Sequence, residues 1–188
     1  MKVLYAYTAC SLLATMLTGC GYTFMAGSGP YKQATLSVPY VVGDQDGSLT
    51  SAIVREVVRE GTFRYRSCDG ALTLKVTQID QEEENIGFRY DRKKKGALTK
   101  DTIPTETRIT SIVEITLVEN GSGATLLGPV QLSASVDYDH DFYFSRNGVN
   151  IFSLGQLTDL DTAYDAVQTP LNQAIARKIV AYIANLGR

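Results

Sequence analysis

Val130-Gln131-Leu132-Ser133-Ala134-Ser135-Val136-Asp137-Tyr138 is the stretch on which the fold turns. Apolar Val130, Leu132, Ala134, Val136 and Tyr138 alternate with polar Gln131, Ser133, Ser135 and Asp137. Side chains of a strand point to opposite faces with period two, so this is a strand with one face on a core. Upstream, Ile109, Ser111, Val113, Ile115 and Leu117 share one side of a second long strand. Glu119-Asn120-Gly121-Ser122-Gly123 joins the two, and Asn-Gly is expected to supply the positive backbone angles of a hairpin turn.

Working outward, Leu72, Leu74 and Val76 alternate with Thr73, Lys75 and Thr77 in a further strand. Ile86, Phe88 and Tyr90 still alternate with Gly87 and Arg89 in the polar stretch from Gln81 to Asp91. That stretch continues the strand or forms the arm of a hairpin. Leu36, Val38 and Tyr40 mark a short first strand, in which Pro39 implies a sheet edge or a strand end. Gly96 and Pro104 read as loop.

Two segments carry helical periodicity. Leu49, Ala52, Ile53 and Val57 recur at three- and four-residue steps, with Arg55, Glu56, Arg59 and Glu60 elsewhere. Asp46 or Ser48 is the expected cap and Gly61 the stop. Near the C-terminus, Tyr164, Val167, Leu171, Ile175, Ile179, Tyr182 and Leu186 follow the same spacing, with Asp161 as cap. Pro170 is expected to kink or restart that helix with Thr169 as a local cap, because it lacks an amide donor and crowds the preceding turn. The order predicts an α+β two-layer sandwich: a mostly antiparallel sheet of about four strands with both helices on one face.

The N-terminus reads differently. Met1-Lys2 precedes an uncharged, largely apolar stretch ending at Leu17-Thr18-Gly19-Cys20. A charged start, a short apolar middle and small residues before a break describe a secretory signal, too short to span a bilayer comfortably. Leu-Thr-Gly-Cys resembles the bacterial lipobox, which implies cleavage after residue 19 and acylation of Cys20. One acyl chain anchors only marginally, so the two or three chains this resemblance implies would make attachment near permanent. Gly21 takes the place of the Asp that retains many such lipoproteins in the inner membrane, which by the same analogy favours the outer membrane. The expected organisation is signal peptide 1–19, lipidated tether 20–33 and one α+β domain over 34–188.

Cleavage would leave 169 of 188 residues and lower Lys+Arg from 18 to 17 against 20 Asp+Glu, a net charge near −3. Such a chain is not a general nucleic-acid binder. Of three cysteines only Cys68 would remain free, read as a half-buried thiol without an intramolecular partner. The fold must then rest on its apolar core.

Arg89, Arg92, Lys93, Lys94, Lys95 and Lys100 form the one dense basic stretch. Clustered cations raise the local potential, so Arg89 and Arg92 to Lys95 are candidates for an anionic ligand, although such runs are commonly solvated loop. Asp137, Asp139 and Asp141 flank His140, the single histidine, but alternation sends the acids to one side and the imidazole to the other. A solvated strand end is the better account than a metal site, which needs converging ligands. Phe142, Tyr143 and Phe144, with Tyr138 and Phe152, read as packing for the last helix before a partner patch. No Gly-x-Ser-x-Gly elbow accompanies His140, and Gly27-Ser28-Gly29-Pro30 lacks the Lys of a phosphate loop. No catalytic set, metal or cofactor is expected.

The whole succession resembles the LPS-assembly lipoproteins of LptE type. It runs from the lipobox and Cys20-Gly21-Tyr22-Thr23-Phe24 through Ser37-Val38-Pro39-Tyr40 and a helix ending at Gly61-Thr62-Phe63. Ala71-Leu72-Thr73-Leu74-Lys75-Val76, the hairpin and Ala176-Arg177-Lys178-Ile179-Val180 complete it. The resemblance implies a sandwich seated in the lumen of a large LptD-type outer-membrane β-barrel. There it would help that barrel fold, plug it and assist lipopolysaccharide assembly at the surface. The residues alone leave open a periplasm-facing lipoprotein that binds another envelope component or serves a structural role. A lipid-anchored hydrolase has no residue set behind it.

Overall fold

The structure, a computed structural model, describes residues 31, 33–92, 98–140, 145–146, 149–150 and 160–186. Cys20, the signal segment and nearly all of the tether lie outside the described residues. The elements are β1 (Thr35–Ser37), α1 (Ser48–Glu60), β2 (Arg64–Arg66), β3 (Leu72–Arg92), β4 (Leu98–Glu119) and β5 (Thr125–Asp139). A two-stranded piece, β6 (Ser145–Arg146) with β7 (Val149–Asn150), and α2 (Leu160–Ala184) complete them.

The main sheet is mixed and five-stranded, in the order β2-β1-β3-β4-β5. β1 runs parallel to both neighbours, while β3–β4 and β4–β5 are antiparallel. The expected count of about four becomes five because Arg64-Tyr65-Arg66 pairs beside β1. β1 is therefore interior, and Pro39 marks its end, not a sheet edge. Parallel partners require a crossover, and α1 supplies the one between β1 and β2.

Both helices cover one face. Leu72, Leu74 and Val76 of β3 and Val113, Ile115 and Leu117 of β4 bury against Leu49, Ala52, Ile53 and Val57 of α1 and Ile175, Ile179 and Ile183 of α2. Val130, Leu132 and Ala134 of β5 pack half-buried against the same core, as their alternation predicts. A smaller cluster of Ile109, Val167 and Leu171 continues the core, with Val136, Tyr138 and Tyr164 against it. Asn172 Nδ2 donates to Ser48 Oγ at 2.8 Å and ties the helices together. Lys178 Nζ reaches from α2 to the Ser133 carbonyl oxygen on the edge strand β5, at 2.5 Å. No helix among the described residues is long and apolar enough to cross a membrane.

The helix ends depart from expectation. Asp46 Oδ1 accepts the Ser48 amide, but Asp44 accepts those of Leu49 and Thr50 together with the Thr50 hydroxyl. Two acids thus share the exposed donors of the first turn, one of them buried. Gly61, left-handed at φ 71°, closes α1 as expected. α2 runs unbroken through Pro170, and Asp161 lies inside its first turn instead of capping it. Tyr182 is 40% exposed; Ile183 takes the core position expected of it.

The hairpin closes differently as well. Within the turn the positive φ belongs to Gly123, at 71°, and not to Asn120 or Gly121. The Gly123 amide donates to Glu119 O, and that of Glu119 to Ala124 O, in a wider loop than a two-residue Asn-Gly turn. Pro104, expected in loop, lies within β4 opposite Phe88. β5 has ended there, leaving β4 an outer edge where a missing amide proton is tolerated.

Candidate functional site

β3 and β4 outgrow the rest of the sheet. β5 last pairs at Asp139 with Glu106, whereas β3 and β4 continue to pair from Gly87–Glu106 as far as Arg92–Leu98. The four residue steps from Phe88 to Arg92 carry this two-stranded ribbon roughly 13 Å further. Phe88 opposes Pro104 and Tyr90 opposes Thr102. Opposed residues of an antiparallel pair share a face, and on this one Phe88 is 53% and Tyr90 63% exposed. Arg89, on the other face, opposes buried Ile103 and is itself half-buried.

The proposed basic residues divide accordingly. Arg92 is described through its backbone, at the last pairing of β3, and Lys93, Lys94 and Lys95 lie outside the described residues. They connect strands whose described ends are Arg92 and Leu98. The stretch expected to be loop or binding site thus follows directly on a ribbon carrying two exposed aromatic side chains.

A break in register explains why β3 changes character along its length. Pairing shifts between Gln78 and Asp80, a bulge that leaves Ile79 exposed. Past it, and as far as the next shift at Asn85, odd-numbered residues pair with the buried face of β4, Gln81 with Ser111, Glu83 with Ile109 and Asn85 with Thr107. Gln81 Nε2 donates to Tyr164 Oη at 2.9 Å. Burial, foremost, and then the Glu83 carboxylate push the Tyr138 phenol above its ordinary range.

His140 is 3% exposed at the end of β5. Its amide donates to Thr105 O at 3.1 Å, and its Nε2 lies 2.8 Å from Thr107 Oγ1. With Asn85 oriented to present Oδ1, the single Thr107 proton goes to that oxygen at 2.8 Å, so His140 Nε2 donates to the hydroxyl. Asp137 and Asp139 face solvent, and Asp141 lies outside the described residues. The expected separation of acids from imidazole holds. Among the described residues no group of three or more His, Cys, Asp or Glu could hold a metal ion.

Cys68 is exposed and free, where a half-buried thiol was expected. Tyr138 packs beside α2 as anticipated, while Phe142, Tyr143, Phe144 and Phe152 lie outside the described residues.

With this geometry in hand, the fold has relatives among solved structures. A minor lipoprotein from Acinetobacter baumannii aligns with a TM-score of 0.50 at 14% identity, over 81% of this chain and 91% of that one. The fold is similar to that of a bacterial lipoprotein. A Xanthomonas campestris protein of family DUF330 aligns with a TM-score of 0.50 at 10% identity, over 85% and 89%. Rare lipoprotein B from Shewanella oneidensis aligns more loosely, with a TM-score of 0.46 at 16% identity, over 80% and 93%. At these identities the likeness is one of fold. No family model matches the chain, and no curated protein matches it by sequence.

Proposed function

We propose that the protein is a non-catalytic envelope lipoprotein, anchored through acylated Cys20, that partners an LptD-type outer-membrane β-barrel and assists lipopolysaccharide assembly. The observation that carries this reading is the β3–β4 ribbon, which leads beyond the body of the sheet to Arg92 and the lysines after it. Two exposed aromatics, Phe88 and Tyr90, precede those cations. Cations facing phosphates and aromatics facing acyl or sugar surface are the two chemistries that an amphipathic, phosphorylated glycolipid requires.

The outer face of the sheet supports the partner. Thr73, Lys75, Thr77, Glu114, Thr116, Gln131, Ser133 and Ser135 lie opposite the helix-covered side, a largely polar surface. The interior of a large membrane barrel is polar and water-filled, so such a face suits a lumen better than lipid. The fold shared with the Acinetobacter minor lipoprotein is in keeping with an anchored domain.

The test is recovery of the full chain from intact envelopes. One large barrel protein should co-purify, and loss of the chain should leave that barrel misfolded and surface lipopolysaccharide depleted. Envelopes that yield no barrel partner overturn the reading. Replacing Arg92, Lys93, Lys94 and Lys95 by Ala should weaken lipopolysaccharide retention; unchanged retention returns the stretch to plain loop.

A further inference from the structure

The outer side of the helix layer holds a second cationic feature, separate from the ribbon. A groove of about 320 Å³ runs between α1 and α2, lined by Ala52, Arg55, Glu56, Arg59, Gln173 and Arg177. The α1 residues fall at steps of three and four, which stacks them along one stripe, and Gln173 and Arg177 form the matching stripe on α2. Buried Ala52 belongs to the helix-facing core, and its small side chain leaves the space between the stripes open.

The charges do not balance. Three arginines meet one glutamate, and Glu56 is already engaged: Arg59 Nε and Nη2 donate to its two carboxylate oxygens at 2.8 and 2.5 Å. That hydrogen bonding, foremost, and then the charges of Arg59 and Arg177 hold the Glu56 carboxyl below its ordinary range against the opposing effect of burial. Arg177 uses Nε on the Gln173 carbonyl oxygen at 3.2 Å, which orients its guanidinium without neutralising it. The Arg55 side chain makes no hydrogen bond or ion pair among the described residues. Glu60 lies near enough to act on Arg59 but does not line the groove. Two positive charges are therefore left over the groove, on a chain whose formal net charge is −2.

We infer that this groove binds a phosphate monoester, with Arg55 and Arg177 as the clamp from opposite helices and Arg59, paired to Glu56, as the fixed wall between them. The guanidinium fork matches phosphate oxygens two at a time, and it stays charged across the physiological pH range. A lipid headgroup that ends in a phosphate monoester, as phosphatidic acid does, carries such a terminal phosphate, and free inorganic phosphate presents the same oxygens. The inference does not depend on the lipopolysaccharide reading, which rests on residues of the ribbon.

Calorimetric titration of the full chain at low ionic strength, with inorganic phosphate and separately with glycerol 3-phosphate, tests it. One saturable site is expected. Arg55→Gln or Arg177→Gln should each weaken it about tenfold, the loss of one charge-assisted contact. Glu56→Gln, which releases Arg59, should tighten it. Tighter binding of glycerol 3-phosphate than of phosphate assigns the site to a lipid headgroup, and the reverse order to the free ion. Arg55 and Arg177 are exposed and Glu56→Gln keeps the shape of a half-buried side chain, so unchanged thermal melts establish that the variants fold. Absence of saturable binding overturns the inference, as does binding indifferent to Arg55 and Arg177. Binding that disappears instead when Arg92 to Lys95 are replaced by Ala also overturns it, and locates the phosphate on the ribbon.

Discussion

Arg108 donates from Nε and Nη2 to the two carboxylate oxygens of Asp137, at 2.7 and 2.8 Å, directly across the β4–β5 pairing. The bond joins the strand that carries the ribbon to the edge strand that stops short of it. Hydrogen bonding from Arg108, foremost, and its charge hold the Asp137 carboxyl below the ordinary aspartate range, while desolvation opposes them.

A pH dependence follows, with a definite sign. The folded carboxyl titrates below the unfolded one, so its contribution is complete above the unfolded value, about 4. It fades as pH falls through the lower folded value. Asp137→Asn should therefore lower the melting temperature slightly at neutral pH and leave it unchanged at the acid end of that window. Both groups face solvent, so high salt should shrink the difference. A gap between the melts of parent and variant that widens on acidification would show that another group is responsible.

Asp44 is a stronger stabiliser than its position in a turn implies. It is 6% exposed and accepts the Leu49 amide at 3.4 Å, the Thr50 amide at 2.7 Å and the Thr50 hydroxyl at 2.6 Å. The same Thr50 hydroxyl oxygen accepts the Val41 amide at 3.1 Å, so one carboxylate organises the whole approach to α1. Asp44→Ala should cost about 1–2 kcal/mol in urea unfolding. Asp46→Ala, which loses one exposed bond to Ser48, should cost visibly less. Equal losses would refute the assignment of the cap to Asp44.

Much of this fold was legible because its main signals are local. Alternation from Ile109 to Leu117 and from Val130 to Tyr138 exposes the sheet's inner face, and the helical steps of Leu49, Ile53 and Val57 expose a helix's. What stayed hidden is non-local. Arg64-Tyr65-Arg66 has no apolar alternation and is exposed throughout; pairing with β1 alone makes it a strand. The bulge at Ile79 reverses the faces of β3 without a glycine or proline to announce it. Pro170 suggested a break, but the apolar stripe on both sides of it is buried against a single sheet, and packing outweighs one lost hydrogen bond. Of the candidate sites, the ribbon could be suspected from Arg89 to Lys95. The groove could not: Arg55 and Arg59 read as an ordinary solvent face until α2 brings Arg177 beside them.

The hairpin turn separates the two kinds of signal in one experiment. Neither Gly121 nor Gly123 has an atom near where a Cβ would stand, so crowding is not at issue at either position. Gly123 alone of the two is left-handed, and an L-residue there costs about 1–2 kcal/mol. Gly123→Ala should destabilise by about that amount. Gly121→Ala should be neutral or gain a few tenths of a kcal/mol through the unfolded chain. The opposite order in equilibrium unfolding would restore the Asn-Gly turn.

The ribbon makes the sharpest separation of stability from function. Phe88 and Tyr90 are mostly exposed, so the pair Phe88→Ser with Tyr90→Ser removes little that the fold relies on. Surface changes of this kind fall within about 0.5 kcal/mol each. Ile103 opposes Arg89 on the other face at 3% exposure, and Ile103→Ser should cost several times as much, because it places a hydroxyl where apolar surface was buried. If the ribbon presents its aromatic face to a glycolipid, the double serine variant should retain its unfolding midpoint while lipopolysaccharide co-elution falls several-fold. A variant that melts normally and holds lipopolysaccharide as well as the parent does would strip the aromatic face of any part in binding.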